Sequence, residues 1–386
     1  MKDIYYFDNA STSFPKAPGV AEAMARCLAE VVGSVGRGSH TGAYAAASRT
    51  LEIREALCRF FGAPAARNVV LTPGCTYALN LVLKGLLRPG DRAAASVMEH
   101  NAVLRPLRQL ERRGVETVRL PCGPDGLLDL EQAEALLTPG LRLCVLTHVS
   151  NVCGALQPIE AVGRLCRERG IFFCVDAAQS AGPVPLNMGA LGIDALALPA
   201  HKSLLGPQGL GALLLTDALA GALEPLVAGG TGSQSDLLDM PPFLPDRFEA
   251  GTLNLPGIYG LGAALDWWAA QDAAALRRRE QKLTGHLLAR LRELEPDGLR
   301  VLGPLDPERQ IGVVAVDFPG LDNAEAAFRL DRDFHIQTRC GLHCAPLAHQ
   351  TLGTFPQGAV RFSVGPFTPF EDIDYLQAAV CELMGV

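Results

Sequence analysis

Two residues of opposite charge, Asp176 and Lys202, stand at the ends of apolar segments and could hold one ligand between them. The apolar run 170–175 predicts a buried strand that carries Asp176 to the edge of a sheet, where ligands bind. A buried carboxylate needs a cationic or hydrogen-bonding partner, and a protonated pyridine nitrogen is such a partner. Lys202 offers an amine that can form a Schiff base with an aldehyde. The pair predicts a pyridoxal phosphate site, although a helix cap and a surface lysine would explain the same two residues about equally well.

A third element upstream favours the ligand site. The run 68–81 predicts a strand, a glycine turn at Gly74, and a helix that begins near Thr76. The free N–H groups at such a helix start bind phosphate, and the Thr76 hydroxyl can add a hydrogen bond. As structure alone, Gly74 is a turn residue and Thr76 an N-cap. An anion cradle, a carboxylate and a lysine in this order form a more specific signal than any one of them.

Several further motifs are in register with a known family. They are the segments 7–15, 98–101, 148–154, 247–252 and 339–347. With them, nearly the whole chain resembles the class V aminotransferase group of fold-type I pyridoxal phosphate enzymes, and most closely its cysteine desulfurase and selenocysteine lyase branch. The resemblance implies an α/β fold with a large cofactor-binding domain over residues 15–255. A smaller α+β domain would combine residues 1–14 and 256–386, and two chains would form a homodimer that shares its active sites.

Apolar runs alternate with amphipathic stretches between about residues 67 and 215, which independently predicts a mostly parallel sheet covered by helices on both faces. The predicted strands are 69–71, 93–97, 116–120, 143–146, 171–175, 195–198 and 211–215. Helices are predicted at 102–113, 159–169 and over most of 255–294, and further strands at 311–318, 335–338 and 360–364. The Gly-, Pro- and Ser-rich segment 228–245 predicts an extended loop, which in the family lies near the dimer seam. We expect the first dozen residues to pack with the smaller domain.

Composition excludes several classes of function. With 386 residues, 48% of them hydrophobic, the chain can bury a core large enough for two domains. A formal net charge of −7 argues against nucleic acid or an anionic membrane as a partner. The chain shows neither a signal-peptide core nor a membrane-length apolar run, so we expect a cytoplasmic protein. The 11 cysteines are irregularly spaced and contain no C-x-x-C pair, which favours free thiols over disulfides and argues against a metal site.

The resemblance assigns further residues to the cofactor. His100, predicted to follow a strand, would stack on the pyridine ring and shuttle protons, whereas a lone histidine there would more often be a helix cap. Asn151 and Gln179 would donate hydrogen bonds to the phenolic oxygen. His201 would bind the phosphate, as Thr252 would from the partner subunit. The complete predicted cofactor set is Gly74, Cys75, Thr76, His100, Asn151, Asp176, Gln179, His201, Lys202 and Thr252.

One residue departs from the family pattern. Where relatives often have a phosphate-binding serine, two positions before the histidine, this chain has Pro199, which has no side-chain donor. Phosphate binding must therefore depend on Thr76, His201, Thr252 and backbone N–H groups.

A second set of residues would bind the substrate. Arg361 lies in an apolar segment, where an unpaired charge would be costly. A substrate α-carboxylate bound in bidentate fashion would satisfy this arginine, and a structural salt bridge is the alternative. By resemblance the predicted substrate residues are Asn9, Ala10, Arg37, His40, Asn151, Arg339 and Arg361, with Arg37 and His40 donated across the dimer.

Cys344 determines the predicted reaction class. It lies in a loop-like segment between a strand ending near Arg339 and a helix starting near Pro346, and Arg339, His343 and the helix start could favour its thiolate. By resemblance Cys344 is the nucleophile that takes sulfur from the substrate. We assign no role to Cys340, which we place on the same loop.

The predicted reaction removes sulfur from L-cysteine, giving L-alanine and a persulfide on Cys344, with Lys202 and His100 as the other catalytic residues and pyridoxal 5'-phosphate as cofactor. L-Selenocysteine is an alternative substrate, and the sulfur acceptor is not defined by the sequence. The alternatives are a selenocysteine lyase, another class V reaction such as transamination or epimerisation, and a non-enzymatic sulfur-relay scaffold. Retention of Lys202, Asp176, His100 and Gln179 argues against the scaffold.

Overall fold

The structure is a computed structural model that describes residues 4–36 and 38–386. The strands in chain order are β1 (Tyr5–Tyr6), β2 (Val69–Thr72), β3 (Arg92–Ser96), β4 (Glu116–Leu120), β5 (Leu143–Thr147), β6 (Phe172–Asp176), β7 (Ala195–Pro199), β8 (Gly211–Leu215), β9 (Arg300–Leu302), β10 (Val313–Asp317), β11 (Ile336–Gln337), β12 (Arg339–Gly341) and β13 (Ala359–Ser363). The helices are α1 (Val20–Glu30), α2 (Thr41–Phe61), α3 (Cys75–Leu86), α4 (Asn101–Glu111), α5 (Leu130–Leu136), α6 (Ile159–Arg169), α7 (Met188–Leu191), α8 (Asp217–Ala222), α9 (Leu255–Ala269), α10 (Ala273–Arg292), α11 (Asn323–Phe334), α12 (Pro346–Thr351) and α13 (Phe370–Met384).

The large sheet has seven strands in the order β2-β8-β7-β6-β5-β3-β4. Strand β8 runs antiparallel to both of its neighbours, β2 and β7, and the other neighbouring pairs of this sheet are parallel. Because β5, β7 and β8 are buried along their whole length, their sequences are continuous apolar runs rather than alternating ones. The predicted seven-stranded, mostly parallel sheet is confirmed. Its carboxyl-terminal edge carries the segments that follow β3, β5, β6 and β7.

Helices cover both faces of this sheet. Apolar residues of α3, α4 and α8 form a core on one face, and those of α1, α2, α6 and α9 form a core on the other. Alternate residues of one strand point into different cores: Ala94 lies in the second, and Ala93 and Ala95 lie in the first. This doubly covered arrangement is the expected consequence of right-handed crossovers between parallel strands.

A second sheet, of order β12-β13-β10-β9 and fully antiparallel, packs against α10, α11 and α13 around its own core. The N-terminal segment joins this part of the molecule, because β1 pairs in parallel with β11 and Phe7 is completely buried in the same core. The α+β character and the packing of the first residues therefore agree with the sequence.

The structure corrects several predicted boundaries. Most of 255–294 is helical, as predicted, and the structure adds that the stretch divides into α9 and α10. Asp272 accepts hydrogen bonds from Ala274 N and Ala275 N, at 2.9 and 3.0 Å, and so caps the start of α10. Strand β12 begins rather than ends at Arg339, and Cys340 lies inside it. Helix α4 ends at Glu111, two residues earlier than expected.

Helix α9 packs on α1 and α2 and contributes apolar residues to the core of the large sheet. The division into residues 15–255 and 1–14 plus 256–386 stays a prediction. No helix in the described part of the chain is long and apolar enough to cross a bilayer. Within residues 4–36 and 38–386, no three His, Cys, Asp or Glu side chains are grouped so that they could hold a metal ion.

Candidate active site

One open cleft of about 1050 Å³ lies at the carboxyl-terminal edge of the large sheet. It brings together nine of the predicted cofactor residues, namely Gly74, Cys75, Thr76, His100, Asn151, Asp176, Gln179, His201 and Lys202. Asn9 and Ala10 line an adjoining cavity, which also contains Gln179 and Lys202 in its wall.

One end of the cleft is formed by the start of α3. The Gly74 carbonyl accepts hydrogen bonds from Tyr77 N and Ala78 N, at 3.1 and 3.2 Å, which starts the helix one residue before the predicted Thr76. The N–H groups of the first helical residues, Cys75 and Thr76, have no acceptor within the helix, so they are available to an anion. A β-carbon on Gly211 would come within 2.8 Å of the Gly74 α-carbon, so only glycine lets β8 pack this closely under the turn.

Asp176 is held in place from two directions at the floor of the cleft. Its Oδ1 accepts a hydrogen bond from Ala178 N at 2.9 Å and one from the Cys75 thiol at 3.4 Å. Burial, and then the negative charge of Asp176, raise the pKa of the Cys75 thiol well above its usual value, so Cys75 is a neutral donor. The Asp176 side chain is 3% exposed, and Oδ2 takes part in neither bond. The carboxylate therefore keeps an oxygen for a ligand.

Lys202 follows β7 and lines the same cleft. Burial lowers the pKa of Lys202, because a poorly solvated ammonium group is disfavoured, while the negative charge of Asp176 opposes this shift. The positive charges of Arg361 and Arg339 lower it further. A larger fraction of the lysine is thus uncharged and nucleophilic than in water.

His100 is both a helix cap and a wall of the cleft. Its Nδ1 accepts a hydrogen bond from Ala102 N at 3.0 Å, so His100 caps helix α4. The same side chain also lines the cleft. Burial lowers the pKa of His100, which keeps the ring neutral near pH 7. Since Nδ1 is an acceptor, the proton lies on Nε2.

Two amide side chains connect the cleft to neighbouring segments. Gln179 Nε2 donates to the Ala10 carbonyl at 2.9 Å, and Asn151 Nδ2 donates to the His343 carbonyl at 2.7 Å. Each amide nitrogen carries two protons, so each keeps one donor beyond these bonds.

The loop that carries Cys344 is bound to the rim of the cleft. The Cys344 carbonyl accepts a hydrogen bond from Asn101 N, next to His100, at 2.7 Å. The preceding carbonyl, of His343, accepts the bond from Asn151. His343 and Cys344 both have left-handed backbone conformations, with φ of 48° and 56°, and the Cys344 side chain is exposed. The thiol is thus accessible on a short turn that is fixed on both sides to cleft residues.

The neighbours of Cys344 differ from expectation. His343 is buried and its ring contacts His349 Nε2 at 3.2 Å and the Arg339 carbonyl at 3.3 Å. Burial, followed by the charge of Arg361, lowers the pKa of His343 well below its usual value, so this residue supplies no positive charge to the thiol. Cys340 does not lie on the loop, since it belongs to β12 and packs against the core of the smaller sheet.

Arg361 has the structural salt bridge that we considered as the alternative. Its side chain is 3% exposed, and its Nη2 lies 2.8 Å from Asp8 Oδ1 and 2.9 Å from Ser11 Oγ. Nη1 donates to the Asn151 carbonyl at 2.8 Å. Arg339 Nη1 also donates to Ser11 Oγ, at 2.9 Å, so two guanidinium groups converge at this hydroxyl. Arg361 Nε is buried without a partner among the described residues.

Several predicted residues do not line this cleft, among them His40, Thr252, Arg339, Cys344 and Arg361. Thr252 is exposed and lies outside the cleft of its own chain. His40 caps α2, where its side chain accepts from Ala43 N at 3.4 Å. Arg37 lies outside the described residues.

Sequence reasoning missed Thr12, Lys16 and Glu99. Thr12 and Lys16 contact His201, and Glu99 is completely buried beside His100. Thr12 lies in the segment 7–15 and Glu99 in the segment 98–101, but no chemical pattern in the sequence distinguished them from their neighbours.

Comparisons with known proteins agree with this geometry. The family model of the class-V aminotransferases matches residues 4–376. A probable cysteine desulfurase of Methanothermobacter thermautotrophicus is 32% identical over 391 residues, covering 100% of this chain and 96% of the relative. A cysteine desulfurase of Pectobacterium carotovorum is 33% identical over 97% of this chain and 92% of its own length. The apo structure of a cysteine desulfurase from Thermococcus onnurineus superimposes with a TM-score of 0.92 at 32% identity, covering 99% of this chain and 95% of the other. The chain therefore belongs to the class-V aminotransferase family.

Proposed function

We propose that this chain is a pyridoxal phosphate-dependent cysteine desulfurase that converts L-cysteine to L-alanine and retains the sulfur as a persulfide on Cys344. The observation that carries the proposal is the exposed Cys344 thiol, on a turn bound to Asn101 and Asn151 at the rim of the cleft that holds Lys202 and Asp176. The names of the similar proteins support the same reaction.

The donor set of the cleft fits the proposed cofactor. The N–H groups at the start of α3 suit a phosphate, and Asp176 Oδ2 suits a protonated pyridine nitrogen. Lys202 provides an amine for the aldehyde, and the neutral His100 ring lies in the wall of the same cleft. Asn151 and Gln179 each keep an N–H for the phenolic oxygen. The bound cofactor would supply an electron sink for negative charge on the substrate.

Lys202 and the two arginines have separate tasks. The uncharged Lys202 amine accepts the α-proton of the substrate, a step for which its lowered pKa prepares it. Arg361 and Arg339 converge at Ser11 and attract the α-carboxylate, which would share or replace the contact of Arg361 with Asp8.

Cys344 then carries out the sulfur transfer. Its thiolate forms an S–S bond with the sulfur of the substrate, and the C–S bond of the substrate breaks. The electron pair of that bond stays on the β-carbon, which takes a proton and becomes the methyl group of alanine. The sulfur is oxidised to the persulfide level while the carbon is reduced, so no external oxidant or reductant takes part in this step.

We also infer a homodimer with shared active sites. Large apolar side chains stay exposed on and just after α1, on α2 and along the segment 227–243, and packing against a second chain would remove them from water. Gly251 N donates to Gly230 O at 2.9 Å, so Thr252 adjoins this surface and could reach a partner's cleft. The exposed residues are Leu28, Val32, Tyr44, Leu51, Val227, Leu237, Leu238 and Phe243. All 11 cysteines are free thiols, which supports a cytoplasmic location.

Product analysis tests the proposed reaction. The full-length chain with pyridoxal phosphate is incubated with L-cysteine or, separately, with L-selenocysteine. Alanine is quantified, and mass mapping locates any added sulfur. We expect stoichiometric alanine, one extra sulfur atom on Cys344, and loss of both in Cys344→Ser. Cys340→Ser is the matched control, since this thiol packs into the smaller core, and it should retain both products.

Three results would refute parts of this proposal. Undiminished alanine formation by Cys344→Ser would exclude Cys344 as the nucleophile. If the wild-type chain developed no visible absorption band with pyridoxal phosphate, the proposed cofactor would be excluded. Alanine from selenocysteine alone would reassign the substrate.

A further inference from the structure

The ring of His201 is held from one side by the N-terminal segment. His201 lines the cleft, and its Nδ1 lies 3.1 Å from Thr12 Oγ1. Burial, and then the charges of Lys202 and Lys16, lower the pKa of His201 to about 4, so the ring is neutral near pH 7. A neutral imidazole has one N–H and one bare nitrogen. Which nitrogen carries the proton therefore decides whether the ring can donate a hydrogen bond into the cleft.

The Thr12 hydroxyl has one proton and two neighbouring acceptors. One acceptor is His201 Nδ1, and the other is the His201 carbonyl, 3.2 Å away. That carbonyl already accepts from Lys16 Nζ at 2.8 Å, from Ser13 N at 3.0 Å and from Ser13 Oγ at 3.1 Å. These three donors already outnumber the two lone pairs of the carbonyl oxygen and lie closer than Thr12, so a further bond from Thr12 is disfavoured.

Lys16 also determines the direction of the Thr12 hydroxyl. Lys16 Nζ donates to Thr12 Oγ1 at 3.0 Å and therefore occupies one of its lone pairs. The Thr12 proton is left to bond His201 Nδ1, which becomes an acceptor. The proton of the ring then lies on Nε2, the nitrogen that Thr12 does not contact.

We propose that Lys16 and Thr12 are positioning residues that hold His201 in its Nε2–H form, so that this histidine donates a hydrogen bond to the phosphate of the cofactor. The inference rests on the proposed function, because it assigns the phosphate end of that cofactor to this part of the cleft. Neither residue is placed in contact with the substrate or the reacting atoms.

The arrangement matters in this chain because the neighbouring position offers no help. Pro199, two residues before His201, has no side-chain donor for a phosphate. Lys16 forms no ion pair within residues 4–36 and 38–386, so the described chain does not neutralise its charge. An unneutralised cation and a fixed N–H donor both favour a dianionic group. The fixed N–H donor of His201 would thus compensate for the missing serine hydroxyl.

Affinity measurements with two cofactors test the proposal. Full-length wild type, Thr12→Val and Thr12→Ser are titrated with pyridoxal phosphate and with pyridoxal, which lacks the phosphate, and binding is followed by absorbance. Thr12→Val keeps the volume of threonine and removes the hydroxyl. We expect its dissociation constant for pyridoxal phosphate to rise roughly 2- to 5-fold, because only part of the population then carries the Nε2–H donor. Pyridoxal binding should stay unchanged, and Thr12→Ser should behave as wild type.

A spectroscopic measurement makes the test independent of affinity. Nitrogen-15 NMR of the imidazole, assigned with a His201→Gln variant, should show the Nε2–H tautomer of His201 in wild type and a tautomer mixture in Thr12→Val and Lys16→Met. Finding the Nδ1–H tautomer in wild type would overturn the proposal. So would an equal loss of affinity for both compounds, or no loss for either. If wild type bound neither compound, the proposed function would fall, and the tautomer would still show whether Thr12 and Lys16 orient His201.

Discussion

Replacing Glu99 by glutamine should remove a pH-dependent loss of stability. Glu99 is completely buried, and its Oε1 accepts from Ser96 Oγ at 2.6 Å and from Thr147 N at 2.9 Å. Its Oε2 has no partner among the described residues. Burial raises the pKa of Glu99 from 4.5 to about 8, against the effect of both hydrogen bonds. The carboxyl group is therefore protonated in the folded protein near pH 7 and ionised in the unfolded chain.

The sign of the effect follows from proton binding. Because the pKa of Glu99 is raised in the folded state, the folded protein binds the extra proton, and the stabilisation is complete only below pH 4.5. It is lost as the pH rises through about 8. Each pH unit in this window removes about 1.4 kcal/mol from the free energy of unfolding. Glutamine keeps the acceptor oxygen for Thr147 and cannot titrate. The stability of Glu99→Gln relative to wild type should thus rise by about 3 kcal/mol between pH 5 and 7.

Chemical and thermal unfolding at pH 5, 6, 7 and 8 measure this difference. For a chain of 386 residues the entropy of unfolding is about 0.8 kcal/mol per kelvin, so about 3 kcal/mol corresponds to a relative Tm shift of ~4 °C. Glu131→Gln, at an exposed position in the first turn of α5, is the matched control for the same substitution away from the core. A flat difference for Glu99→Gln across the same range would show that Glu99 is not a neutral buried acid.

Three further changes have defined outcomes. Arg54→Met removes the partner of the Glu249 carboxylate, which is 5% exposed and lies 2.6 Å from the guanidinium. The free energy of unfolding, measured by denaturant titration, should fall by about 3–5 kcal/mol. A loss below about 1 kcal/mol would contradict a stabilising buried pair. His100→Asn should keep the helix cap and therefore the Tm, while alanine formation falls roughly 100-fold or more, and unchanged turnover would remove this histidine from the reaction. Gly358→Ala should lower the free energy of unfolding by about 1–3 kcal/mol, because Gly358 has a φ of 82°. The substitution should also slow sulfur transfer, because the new β-carbon would lie 2.3 Å from the carbonyl of Gly341, just before the loop that carries Cys344. Wild-type kinetics would contradict this link.

The sequence predicts the fold well because the apolar pattern is strong where the sheet is buried. All seven strands of the large sheet were predicted, six from short, mainly apolar runs and β4 from an alternation of polar and apolar residues. Helix ends were predicted less well, because capping depends on single side chains such as Asp272. The sequence correctly predicts that most of 255–294 is helical, but the apolar pattern gives no signal for the break between α9 and α10.

The cleft was predicted in its residue types but not in their pairings. The residues after β3, β5, β6 and β7 share one edge of a parallel sheet, so their meeting follows from topology. The contact of Arg361 with Asp8 joins residues 353 positions apart, and neither segment contains a local sequence pattern that predicts it. Orientation was equally hidden: His343 stands next to Cys344 in the chain, yet its ring points to His349.

Hydrogen bonds between the N-terminal segment and strand β13 determine when the site can be completed during synthesis. Ser363 N donates to Phe7 O at 2.7 Å, and Ala10 N donates to Ser363 Oγ at 2.9 Å. These bonds hold Ala10 in place, and the Ala10 carbonyl in turn accepts the hydrogen bond of Gln179 Nε2. A nascent chain can therefore form the large sheet, with Lys202 and the turn at Gly74, long before the N-terminal segment acquires its C-terminal partner. The contacts of Ala10 with Ser363, and the position of the Ala10 carbonyl that Gln179 bonds, are completed only after strand β13 leaves the ribosome.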